Sequence, residues 1–100
     1  KNITLFATPC DFQSLEIIKK LKFPAIKISS GLLTNLPLIQ KAIETKLPII
    51  VSTGMAYYKE IESVIKFFKK KKTNNFAILK CTSLYPSPSK TVNLKSIKKL

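Results

Sequence analysis

Small hydroxyl and glycine residues stand at four points of this sequence, each directly after an apolar run. Such residues can bind a small anion, because hydroxyl groups and loop N–H groups donate hydrogen bonds to phosphate or carboxylate oxygens. The four points are Thr8-Pro9, Ser29-Ser30-Gly31, Ser52-Thr53-Gly54 and Thr82-Ser83-Leu84-Tyr85. The simpler interpretation is that Ser, Thr and Gly are ordinary turn and cap residues. For any single loop this simpler interpretation is favoured. For four loops in register, anion binding and the simpler interpretation are about equally supported.

Lys27 is the charged residue best placed to complete such a site. It stands between Ile26 and Ile28, and in a strand its side chain points to the opposite face from both isoleucines. A cation inside a barrel is costly unless it is paired with an anion. The alternative is that Lys27 extends outwards to water at the end of the strand. Lys80 occupies a similar place in the last apolar run, with the same two interpretations.

Other kinds of chemistry lack the residues that they need. The sequence has no His and only two Gly, which excludes a Ser-His-Asp triad, a Cys/His zinc site and a glycine-rich nucleotide loop. Two cysteines, Cys10 and Cys81, are too few for a disulfide framework. A single disulfide between them is possible, but we expect reduced thiols in a cytoplasmic protein. All five acids fall on predicted helices or caps, which leaves no carboxylate pair at the strand ends. They are Asp11, Glu16, Glu44, Glu60 and Glu62.

The formal net charge of +13 from 18 basic and 5 acidic residues suggests a nucleic-acid or membrane partner. Every basic residue is Lys, however, whereas specific nucleic-acid recognition depends on Arg. The densest run, Lys69 to Lys72, falls at the end of a predicted helix, where cations complement the helix dipole. Codon bias in an A+T-rich genome is a further explanation. We therefore expect no nucleic-acid partner, and the apolar runs are too short to span a membrane.

Four predicted strands alternate with four predicted helices, and together they would position these residues. The strands are Ile3–Ala7, Ala25–Ile28, Pro48–Val51 and Phe76–Cys81. The third is apolar throughout, as in a parallel strand that is covered on both faces.

The helix boundaries follow from cap residues and apolar periodicity. Asp11 is a good N-cap for the first helix, and the second begins near Thr34-Asn35 with Pro37 in its first turn. The third helix, about Tyr58 to Lys71, has apolar residues at helical spacing. Asn93 is expected to cap a last helix that begins at Leu94.

The order βαβαβαβα predicts an α/β fold with a parallel sheet. Its spacing is typical of a (β/α)8 TIM barrel, which needs about 250 residues, so residues 1–100 would form about half of one, without a second domain. A complete flavodoxin-like sheet is the alternative. In either fold, ligands bind beyond the C-terminal ends of the strands, which is where the hydroxyl residues stand.

Several strings, in order and spacing, resemble the N-acetylneuraminate (sialic acid) synthase family, which includes the legionaminate and pseudaminate synthases. The resemblance runs nearly the whole length of the chain but covers only the middle of the family's barrel. The Lys-Ile-x-Ser-Gly and Ser-Thr-Gly-Met strings are fairly specific in combination. The strings are Thr8–Asp11, Pro24–Gly31, Thr34–Leu38, Pro48–Met55, Leu79–Pro86 and Val92–Leu94.

The resemblance implies a transferase that condenses phosphoenolpyruvate with N-acetylmannosamine or a similar 2-acetamido sugar. The enol carbon attacks the sugar aldehyde, water adds at the former enol carbon, and phosphate leaves. By similarity, Thr8, Lys27, Ser30 and Ser52 would hold the phosphate and carboxylate of phosphoenolpyruvate, and Tyr85 and Ser83 would line the acceptor-sugar pocket. A divalent metal, manganese or magnesium, would orient the aldehyde. The family forms homodimers.

The chain departs from the family's pattern at several positions. Leu32 stands where the family usually has a Glu that binds the acceptor sugar, Lys80 where it usually has a His, and Tyr57 where a small helix cap is usual. Some members have an Asn where this chain has Ser83. The metal ligands of the family lie beyond this chain. We therefore expect the 100 residues to be inactive alone and to self-associate through unpaired sheet edges. The alternative function is a small basic module that binds nucleic acid or another anion without catalysis.

Overall fold

A computed structural model describes residues 2–100, which form a parallel three-stranded sheet with helices between the strands. The strands are β1 (Ile26–Ile28), β2 (Ile49–Ser52) and β3 (Phe76–Leu79), in this order across the sheet. The helices are α1 (Phe12–Lys20), α2 (Leu36–Glu44), α3 (Tyr58–Lys70) and the short α4 (Ser89–Val92). Two 3-10 helices cover Ser30–Leu32 and Leu94–Lys99. The predicted alternation of helix and strand is confirmed from α1 to β3.

The sheet has two different faces. Side chains alternate along a strand, so Ile26 and Ile28 lie fully buried in the hydrophobic core while Lys27 faces the other side. Lys27 lies opposite Ile50 of β2, which in turn lies opposite Ala77 of β3. Ile50 is partly buried and Ala77 is exposed, so this second face is only partly covered in the described part of the chain.

The first two long helices begin at the predicted caps. Asp11 accepts a hydrogen bond from the Ser14 backbone N–H at 2.7 Å, and the Asn35 side chain accepts one from the Leu38 N–H at 3.1 Å. Pro37 lies in the first turn of α2, where its missing N–H has no helical partner to lose. The cap at Asp11 and the predicted start of the second helix near Thr34-Asn35 are both confirmed.

The core packs between the sheet and the apolar sides of the helices. On α3 the buried residues Ile61, Val64 and Phe68 fall at the spacing of one helix face. The Phe68 ring stacks on Phe76 of β3, with 4.3 Å between ring centroids and 13° between their planes. This contact ties the longest helix to the outermost strand.

The prediction of a strand over Ile3–Ala7 is wrong except at its last residue. Ala7 forms a single parallel bridge with Ile26, and its carbonyl accepts the N–H of Lys27 at 2.9 Å. Ile3 is 71% exposed. Because β1 is only three residues long, it can form few backbone hydrogen bonds with a longer neighbouring strand. Residues with high β-propensity do not form a strand without such a partner.

Three helices end on a lysine in the left-handed conformation, which the sequence analysis did not foresee. Lys22, Lys46 and Lys72 have φ of 54°, 61° and 54°, and each lies two residues beyond the last residue of α1, α2 or α3. At the end of α3, the N–H of Lys72 donates to the Lys69 carbonyl at 2.9 Å. Glycine or asparagine is usual at this position, so a lysine there gives no recognisable stop signal.

The predicted last helix begins at Leu94 as expected, but the prediction that the Asn93 side chain caps it is wrong. Asn93 has φ of 44° and its side chain makes no cap bond, and Leu94–Lys99 forms a 3-10 helix. The left-handed residue ends α4 instead of starting a new α-helix. The Tyr58 hydroxyl donates to the Lys99 carbonyl at 2.9 Å and holds this segment against α3.

Candidate functional site

The end of the central strand β2 contacts both of its neighbours through three consecutive residues, Ser52-Thr53-Gly54. Ser52 and Thr53 are buried, with 6% and 4% of their surface exposed. Ser52 bonds to a side chain of β1, Thr53 bonds to β3, and Gly54 bonds to the loop that follows β1. This tripeptide is therefore the centre of the candidate site.

Lys27 reaches from β1 across the open face of the sheet to β2. Its Nζ donates to the Ser52 Oγ, and also to the Ile28 carbonyl at 3.3 Å. An ammonium group has three N–H donors, so one remains for a ligand. Among residues 2–100 no carboxylate forms an ion pair with Lys27. Its charge is therefore available to an anion at the end of the sheet, while its side chain is only partly buried.

Ser30 approaches the same point from the loop after β1. Its Oγ accepts a hydrogen bond from the Gly54 N–H at 2.9 Å. A Cβ placed on Gly54 would lie 3.1 Å from the Ser30 Oγ and 3.0 Å from the Ser83 Oγ. The structure thus brings Ser30 and Ser83 close to the same point beside Gly54, as expected from parallel strand ends.

Thr53 is the hydroxyl residue for which the simpler structural interpretation is correct. Its Oγ1 and its backbone N–H both donate to the Leu79 carbonyl, at 2.9 and 3.2 Å. The Thr53 hydroxyl proton is therefore used to hold the end of β2 against β3, and it is not available to a ligand.

Thr8 and Tyr85 are less closely associated with this cluster. Thr8 is exposed and follows Ala7, the residue that bridges to β1, so it lies at the same end of the sheet. Within residues 2–100 the structure shows no hydrogen bond from its hydroxyl to Lys27, Ser30 or Ser52. The side chain of Tyr85 is fully exposed. Residues 2–100 therefore do not bring Tyr85 to the other candidate residues.

Lys80 follows β3 and lies on the side of the sheet that α3 covers. Its Nζ donates to the Cys81 carbonyl at 3.0 Å. It lines a cavity of about 320 Å³ together with Thr53 and Gly54 at the end of β2, Tyr58 of α3 and Lys99. The two strand lysines, which have the same two interpretations in the sequence, therefore have different surroundings.

The described residues do not supply the divalent metal site that the resemblance implies. Residues 2–100 contain no group of three His, Cys, Asp or Glu side chains that could hold a metal ion. Cys10 and Cys81 are free thiols. The donor set for such a metal is therefore absent from this part of the chain.

Gly54 lies in one of the four predicted loops, but the sequence pattern assigned it no role of its own. A glycine after Ser-Thr at the end of a strand is also typical of a turn, and its role depends on how closely two other loops approach it.

No helix among residues 2–100 is both long and apolar enough to cross a bilayer.

Comparison with known proteins gives one consistent family. The NeuB family matches residues 1–100. The chain is 40% identical over 101 residues to the N,N'-diacetyllegionaminic acid synthase of Campylobacter jejuni, which covers 99% of this chain and 30% of that protein. It is 36% identical over 99 residues to the pseudaminic acid synthase of Helicobacter pylori, which covers 99% of this chain and 29% of that protein.

A solved structure extends the comparison to the fold. The chain matches the crystal structure of the N-acetylneuraminic acid (sialic acid) synthetase from Leptospira borgpetersenii with a TM-score of 0.90 and 38% identity. The match covers 98% of this chain and 34% of that chain. The chain thus spans about a third of the length of the proteins that it matches.

Proposed function

Because the chain belongs to the NeuB family, we propose that it forms the phosphoenolpyruvate-binding part of a nonulosonic acid synthase. The reaction would condense phosphoenolpyruvate with N-acetylmannosamine or a related 2-acetamido sugar, in carbohydrate biosynthesis. The observation that carries this proposal is the hydrogen bond between Lys27 and Ser52 at the C-terminal end of the sheet. It presents a cation that has no ion-pair partner among residues 2–100, at the place where ligands of parallel α/β folds bind.

Lys27 would hold the carboxylate or phosphate of phosphoenolpyruvate with its remaining N–H. The Ser52 Oγ accepts a hydrogen bond from Lys27, which leaves the Ser52 hydroxyl proton free to donate to the same anion. Ser30 and Thr8 would add further hydroxyl donors. Charge-assisted hydrogen bonds are roughly twice as strong as neutral ones, so Lys27 is expected to contribute most of the affinity.

Ser83 and Tyr85 would contact the acceptor sugar once the rest of the barrel is present. Leu32 cannot replace the glutamate that the family uses for this sugar, and its side chain packs against the hydrophobic core. Acceptor recognition would therefore depend on other residues of the whole protein. Residues 2–100 do not determine which 2-acetamido sugar is the acceptor.

The metal of the family would polarise the sugar aldehyde, but residues 2–100 hold no donor set for it. We therefore assign only phosphoenolpyruvate binding to these residues. The chain alone is expected to release no phosphate from phosphoenolpyruvate, N-acetylmannosamine and manganese. Robust turnover by the 100 residues would contradict this expectation.

Titration calorimetry of phosphoenolpyruvate tests the proposed site. Lys27→Met should weaken binding by at least about tenfold, which corresponds to the loss of one hydrogen bond to a charged group. Lys20→Met is the matched control, because it removes the same charge from the exposed last turn of α1, and it should bind as the unmodified chain does. Equal losses in both variants would mean that only net charge matters.

The net charge of +13 supports a second candidate, a basic module that binds nucleic acid. Submicromolar affinity for DNA that falls steeply with salt would favour this module. If phosphoenolpyruvate protects Lys27 against an acylating reagent and DNA does not, the synthase would be favoured.

A further inference from the structure

The space around Gly54 is filled by side chains from two other loops. A Cβ at this position would lie 3.0 Å from the Ser83 Oγ, 3.1 Å from the Ser30 Oγ and 3.3 Å from the Cys81 Cβ. These distances are shorter than ordinary van der Waals contact between carbon and its neighbours. A Cβ at this position would therefore force Ser30 and Ser83 to shift by a few tenths of an ångström from their places beside the end of β2.

Backbone conformation does not explain the glycine. Neither glycine of the chain has a positive φ, so an alanine could adopt the backbone of Gly54 without left-handed strain. The close approach of Ser30, Ser83 and Cys81 is the remaining physical reason for a residue without a Cβ.

The Gly54 N–H also determines what the Ser30 hydroxyl can do. The Ser30 Oγ accepts this N–H at 2.9 Å, and within residues 2–100 the structure shows no acceptor for its own proton. A hydroxyl has one proton to donate. Because the Gly54 N–H already occupies one lone pair of the Ser30 oxygen, the Ser30 O–H remains available to donate to a ligand.

We propose that Gly54 is a positioning residue of the anion site, which acts through Ser30. Its N–H fixes the Ser30 oxygen as an acceptor, and its missing side chain lets Ser30 lie close to the end of β2. The identity of the anion as phosphoenolpyruvate rests on the proposed function, whereas the orientation of Ser30 does not.

Gly31 provides a matched control, because it is the second of the two glycines in the chain. A Cβ at Gly31 would meet only the Met55 Sδ at 3.8 Å, an ordinary contact. Gly54→Ala should weaken phosphoenolpyruvate binding about tenfold, as expected for loss of one hydrogen bond to a charged group. Gly31→Ala should leave it within about twofold. Equal affinities of the two variants would overturn the proposal.

A double-mutant cycle separates positioning from general loss of stability. If Gly54 acts through Ser30, then Gly54→Ala should cost no further affinity in a Ser30→Ala background. A purely structural effect of Gly54→Ala would instead appear undiminished in that background, and this result would contradict the proposal.

Amide hydrogen exchange tests the orientation of Ser30 without any ligand. The Gly54 N–H should be protected in the unmodified chain and should exchange at least about tenfold faster in Ser30→Ala, since exchange reports the opening of hydrogen bonds. Unchanged exchange would overturn the inference. If the unmodified chain binds no phosphoenolpyruvate, the proposed function fails, and the exchange measurement decides the inference by itself.

Discussion

Lys27 and Ser52 are 25 residues apart in sequence, and the Lys27 Nζ donates a hydrogen bond to the Ser52 Oγ across neighbouring parallel strands. The contact lies at the C-terminal end of the sheet, where two other loops approach Gly54. It joins the one strand lysine on the open face to a buried hydroxyl, and it is the geometry on which the proposed function depends.

Ser52→Ala should destabilise the chain and weaken anion binding together. The buried Ser52 hydroxyl is the partner of a charged, partly buried donor, and such a hydrogen bond contributes about 0.5–1.5 kcal/mol to stability. Urea unfolding measures the loss. Ser63→Ala, on the exposed surface of α3, is the control and should stay within about 0.5 kcal/mol. Equal unfolding free energies of the two variants would show that the Lys27–Ser52 bond contributes little.

Lys72→Gly should stabilise the chain, although it removes a side chain. A non-glycine residue in the left-handed conformation costs roughly 1–2 kcal/mol, and Lys72 adopts it just beyond α3. Lys69→Gly is the matched control, because the same substitution inside α3 should cost about 1 kcal/mol of helix stability. Urea unfolding should give opposite signs, and destabilisation by both would contradict the prediction.

The helix cap at Asp11 should make stability depend on pH in the acid range. The backbone N–H and the hydroxyl of Ser14 lower the pKa of Asp11 below its ordinary value. This contribution is therefore complete above the unfolded-state pKa of about 4, and it is lost as pH falls through the lower folded-state pKa.

Asp11→Asn tests this contribution, because asparagine caps a helix as well as aspartate but does not titrate. Thermal unfolding between neutral and acid pH should show a smaller loss of stability in Asp11→Asn than in the unmodified chain. The pKa of Glu44 is also lowered, chiefly by its hydrogen bond from Lys41, and this remains in both proteins. Parallel pH profiles would contradict the assignment.

The outer edge of β3 should cause self-association. Within residues 2–100, β3 pairs only with β2, and an unpaired edge is a template for another strand. Ala77→Lys places a charge on this exposed strand and should lower the weight-average mass in sedimentation at micromolar to millimolar concentration. Ser63→Lys adds the same charge on α3 and should have little effect. A monomeric unmodified chain would contradict the prediction.

The sequence predicts those features that depend on neighbouring residues. The caps at Asp11 and Asn35, the apolar face of α3 and the direction of Lys27 follow from cap chemistry and from helix and strand periodicity. The family resemblance, carried by short strings near the strand ends, is confirmed by the match over residues 1–100.

The features that the sequence misses depend on contacts between distant parts of the chain. Ile3–Ala7 has the composition of a strand but only one bridge to β1. Lys72 adopts a backbone conformation that its residue type does not favour. The role of Gly54 depends on Ser30 and Ser83, which lie in two other loops. None of these three can be read from a local pattern.

The partly covered face of the sheet has an electrostatic consequence for Lys27. Two unit charges 4 Å apart attract each other by about 1 kcal/mol in bulk water. At the lower effective dielectric constant that is typical near a protein surface, the attraction is about 4 kcal/mol. Further barrel strands over this face would displace bulk solvent from the ammonium group. The same lysine would then attract the same anion several times more strongly, without any change in its own position.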